Sequence, residues 1–181
     1  TGLNVATIHR HVGTKRELYR TVVECLYRED RAIVEAWSAR LPSVSVENAT
    51  SAREVVRRLA DRVFQRIETN PVPTRLHLRR WLDPQDEVSA LESDLYLKIY
   101  RPMIEFLERL RERGIVTFPG DFRDFLRGVD WLVVGYFVAG PMSATKFRTD
   151  PLDLENLTRF KSFVLEYLFR MLGLEPDTGG K

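Results

Sequence analysis

The chain has 181 residues, 44% of them hydrophobic and 30% charged, the balance of a globular protein and not of a disordered one. That length supports a core without disulfide staples, no apolar run reaches the ~20 residues of a membrane-spanning helix, and the single cysteine, Cys25, excludes an intrachain disulfide and fits a reducing, cytoplasmic setting. The net charge of +2 is too small to argue for nucleic acid, but residues 1–20 carry Arg10, Lys15, Arg16 and Arg20 against Glu17 alone, the pattern of a nucleic-acid-binding end or of a solvated basic helix face.

Helical signals dominate from the start. Asn4 is a good N-cap, and Val5 to His11 makes two helical turns that Val12-Gly13 breaks. On a helical wheel Val5, Ile8 and Val12 share one side; Ala6 and Arg10 point away from it, with Thr7 and His9 flanking them. Such an outward face suits a DNA major groove: arginine pairs with guanine, small side chains permit close approach, and Thr or His holds phosphate. Thr14-Lys15-Arg16-Glu17 fits a capping box. Behind it Leu18, Val22, Cys25, Leu26, Ala32, Ile33 and Trp37 recur at helical spacing, predicting a helix to about Ala39.

Leu41–Thr50 reads as a loop. Ser51-Ala52-Arg53-Glu54 reads as a second capping box, opening a helix that Asn70-Pro71-Val72-Pro73 stops. A short helix is expected from Thr74 to Leu82. A long one follows from about Asp86 to Arg113, with Gly114 closing it and Pro102 predicting a kink or a break. Another begins at Pro119 or Asp121 and ends at Gly140-Pro141. The last spans Leu152 to Leu172 and stops at Gly173. The expected architecture is all-α, about six helices in the body joined by short loops.

Residues 1–18 resemble the recognition helix and following helix of the TetR/AcrR family of bacterial transcriptional repressors. The match is identical at Gly2, Thr7, Arg10, His11, Gly13, Lys15, Glu17 and Leu18, and conservative at Leu3, Asn4, Ile8 and Thr14. The motif covers about a tenth of the chain, but in combination these positions are more specific than any lone motif. The resemblance implies a helix-turn-helix head over residues 1–39, incomplete here and including a connecting helix, and a helical-bundle ligand-binding and dimerisation domain over residues 40–181. It implies that Asn4, Val5, Ala6 and Arg10 face base edges and that Thr7, His9 and Lys15 hold phosphates. Position 9 is usually Tyr and position 12 usually Phe in the family; here they are His9 and Val12. A scaffolding helix belongs ahead of the recognition helix, so roughly 30 or more further residues are expected upstream.

The stretch Val129–Ala139 is apolar nearly all round, so both of its sides are expected to be buried. The resemblance implies that it and the last helix pair with their copies in a two-fold homodimer, through Trp131, Val134, Phe137, Phe160, Val164, Tyr167 and Met171. Candidate lining for a small, mostly apolar effector is Phe64, His77, Trp81, Tyr100, Met103 and Trp131, with Tyr96 and Phe106 nearby. For each of these, plain core packing is the more ordinary reading. Eight arginines between residues 53 and 80, against Glu54, Asp61 and Glu68, fit an anionic effector or, more ordinarily, a solvated arginine face.

No metal set, nucleophile–base pair or phosphate-binding glycine loop is legible, so no enzyme activity, cofactor or metal is expected. The expected function is a ligand-responsive, dimeric repressor that binds a palindromic DNA operator and is released by a small molecule, with no membrane partner. The competing readings are an all-α small-molecule-binding or interaction protein without DNA binding, and an all-α enzyme.

Overall fold

The computed structural model describes residues 13–69, 86–138 and 153–174. Among them are five α-helices and no strand: α1 (Lys15–Ser38), α2 (Ala49–Thr69), α3 (Asp86–Glu112), α4 (Phe122–Val138) and α5 (Leu154–Leu172). The protein is all-α. None of these helices is long and apolar enough to cross a membrane. The expected helix over 74–82 lies outside the described residues.

The helix ends follow from local chemistry. Gly13 takes a left-handed φ of 73° and turns the chain into α1, where the capping box of Thr14 and Glu17 forms. The Glu17 amide donates to Thr14 Oγ1 at 3.2 Å, and the Thr14 amide donates to Glu17 Oε2 at 2.7 Å. The cap of α2 differs from expectation. Asn48, not Ser51, is the N-cap: the Ser51 amide donates to Asn48 Oδ1 at 2.9 Å, and Ser51 Oγ accepts the Asn48 amide at 3.1 Å. Ser51 is therefore the returning partner of the box, and Glu54 turns outward to pair with Arg58 at 2.7 Å. The sequence Asn-x-x-Ser-x-x-Glu contains two overlapping boxes, and Asn is at least as good an N-cap as Ser.

The expected loop over 41–50 is also more ordered than its composition suggests. Leu41–Ser43 forms one 3-10 turn, and Leu41 and Val46 are buried in the core. The α3 helix continues through Pro102 without a break. Proline there removes one helical hydrogen bond at a cost of about 3 kcal/mol. The turns that follow are held by Phe106, Leu107 and Leu110, all buried, and this anchoring outweighs the loss.

Gly114 and Gly173 end α3 and α5 in the left-handed region, at φ 68° and 69°. Each closes a Schellman motif. The Ile115 amide donates to the Leu110 carbonyl at 2.9 Å, and the Leu174 amide to the Phe169 carbonyl at 2.8 Å.

Helix α1 packs along α3, α2 against α5, and α3 against α4, with the 3-10 turn seated against α1 and α3. The core lies where α2, α4 and α5 meet. The Phe64 ring meets Phe137 and Phe160 edge-on, at centroid distances of 6.4 and 5.8 Å. Tyr136 stacks on Phe160 at 3.7 Å, and its hydroxyl donates to the Asn156 carbonyl at 3.3 Å. Aromatic pairs of this kind contribute about 0.5–1.5 kcal/mol each beyond the area they bury.

Candidate functional site

Of the seven residues expected to contact DNA, Asn4, Val5, Ala6, Thr7, His9 and Arg10 lie outside the described residues. Lys15 is the first residue of α1 and is exposed. Its neighbours present a basic helix start: Arg16 is exposed, and Arg20 is paired with Glu24 at 2.8 Å. The capping box holds the carboxylate of Glu17 below its ordinary pKa, first through the Thr14 amide and then through the Thr14 hydroxyl. The exposed Lys15 thus stands at the capped start of α1, the end of a helix that favours negative charge.

Of the apolar stripe expected along α1, the Ile33 and Trp37 side chains lie outside the described residues and Leu26 is half-buried. Leu18, Val22, Cys25 and Ala32 are exposed, whereas Val23 is buried. A single helical period cannot say which of two apolar sides meets the body. Among the described side chains of α1, Val23 alone is buried.

The expected effector-lining residues do not converge on one space. Phe64 is 1% exposed and closed in by Phe137 and Phe160, so it is a core residue. Tyr100 and Met103 are half-buried on α3 and pack against that core, as buried Phe106 does within it. Trp131 is 51% exposed on α4 and does not line the interior. His77, Trp81 and the Tyr96 side chain lie outside the described residues.

The expected dimer set divides in two. Phe137, Phe160 and Val164 belong to the core of a single chain, and Val164 is 1% exposed. They lie in the core and not on the surface of the single chain, with Phe64 of α2 against the Phe137 and Phe160 rings. Trp131 and Met171 are exposed, while Val134 and Tyr167 are half-exposed. The sequence reading missed Phe163, which is 55% exposed on α5. It also missed Gly128 and Gly135, which share the Trp131 side of α4 by helical spacing. A Cβ built at either would meet nothing within 4 Å. The signal was present in Gly-x-x-Trp-x-x-x-Gly, but the long apolar run around it hid the outward face.

Two arginines of α2, Arg53 and Arg58, have partners within the chain. Arg53 donates to the Leu174 carbonyl and lies over the Phe169 ring at 3.9 Å. Arg58 pairs with Glu54, and Asp61 of the same helix pairs with Lys161 of α5 at 2.8 Å. Burial lowers the pKa of Arg66, opposed by the carboxylate of Glu29. Along residues 53–69 the arginine face is thus interleaved with acids, which favours the solvated reading over an anion site. Among the described residues no group of three or more His, Cys, Asp or Glu side chains could hold a metal ion.

Comparison of the chain with family models, curated proteins and solved structures returned no match.

Proposed function

We propose that this chain is a ligand-responsive, dimeric, cytoplasmic transcriptional repressor of the TetR/AcrR type. The observation that carries the reading is the residue pattern from Gly2 to Leu18, with Arg10, Gly13, Lys15 and Glu17 in register. It is supported by the Thr14–Glu17 capping box, which starts α1 where the resemblance requires a helix behind the recognition helix. Arg10, with Asn4, Val5 and Ala6, reads base edges; Thr7, His9 and Lys15 hold phosphates.

A second copy covers the outer sides of α4 and α5. The support is chemical. Phe163 and Met171 are large apolar side chains exposed on α5, Trp131 is 51% exposed on α4, and a Cβ at Gly128 or Gly135 of α4 would meet nothing within 4 Å. Glycine within a helix costs roughly 0.5–1 kcal/mol relative to alanine, a cost that close approach of a neighbouring helix would explain.

A small apolar effector, bound in the body, favours the conformation in which the two heads no longer fit successive major grooves. Operator DNA then weakens effector binding by the same factor. The direct test is Arg10→Ala. The reading expects loss of sequence-specific DNA binding with the dimer intact, and normal binding by that variant would remove the base-reading assignment. A full-length protein that binds a small molecule but no DNA would instead be an all-α binding protein.

A further inference from the structure

We draw no further inference here: the strongest candidate, the exposed apolar side chains Trp131, Phe163 and Met171 beside the open glycines on the outer sides of α4 and α5, belongs to the dimer surface already proposed, and nothing in the structure shows a different occupant for it.

Discussion

Gly173 and Thr117 are locked together where α5 ends against the α3–α4 connection. The Thr117 amide donates to the Leu172 carbonyl at 3.0 Å. A Cβ at residue 173 would overlap Thr117 Oγ1 and lie 3.1 Å from its Cβ. Only glycine satisfies both the positive φ and this contact. The lock is completed by Leu174, fully buried, and by Arg53, which reaches across from α2 to the Leu174 carbonyl.

Gly173→Ala is therefore expected to destabilise the protein by roughly 2 kcal/mol or more, from left-handed backbone and overlap together. Gly114→Ala meets no neighbour and is expected to cost only about 1 kcal/mol. Urea unfolding of both variants measures the difference. Adding Thr117→Ala to Gly173→Ala should recover part of the loss. Equal effects at the two glycines would mean that the contact with Thr117 adds nothing.

Phe64→Ala should cost about 3–5 kcal/mol, because it opens a cavity at the meeting point of α2, α4 and α5. A loss under 1 kcal/mol in the same unfolding measurement would show that the three helices do not share this core.

The surface of α4 and α5 makes the opposite prediction. Phe163→Ser removes an exposed side chain, so a single chain should lose no more than about 0.5 kcal/mol, and Trp131→Ser removes one that is 51% exposed. Both should shift the dimer toward monomer in sedimentation equilibrium. Gly128→Ala separates the two effects further. It should stabilise an isolated chain by up to about 1 kcal/mol while weakening the dimer. A dimer unaffected by all three variants would place the interface elsewhere.

The Thr14–Glu17 box also sets a pH response. The pKa of Glu17 is lowered in the folded state, so its contribution is present above the unfolded value and is lost as pH falls through the folded one. An NMR titration of the Glu17 carboxyl should give a midpoint below that of an ordinary glutamate. Thr14→Ala should move the midpoint up toward the ordinary value. An unchanged midpoint would mean that the Thr14 hydroxyl does not hold the carboxylate.

The sequence revealed the all-α class and several helix ends, because those are local: Thr14 with Glu17, Gly114 and Gly173 each act within a few residues. It misled where two local readings overlap, as at Asn48 and Ser51, and of the kink or break expected at Pro102 the break does not occur. It also could not sort apolar residues between core and surface on helices rich in both. Val164 and Phe163 are adjacent in the chain, yet one is buried and the other exposed, a distinction that depends on tertiary packing and not on local pattern. For the same reason the sequence placed Trp131 both in the effector lining and in the dimer set, and could not decide between interior and surface.

Lys15 offers a quantitative check on the phosphate assignment. Lys15→Ala should weaken DNA binding evenly across sequences and reduce the salt slope by about 1. A change confined to one sequence would instead make Lys15 a base reader.

The most direct test of the central claim is selection of binding sites by the full-length natural protein from a pool of random duplex DNA, followed by titration of the enriched site at several salt concentrations. The account predicts an inverted repeat whose half-sites lie on one face of the duplex, about one helical turn or a multiple apart. It also predicts affinity for that site on the order of 10³-fold or more above random DNA. Enrichment of no sequence, with binding no tighter than to random duplex, would contradict it.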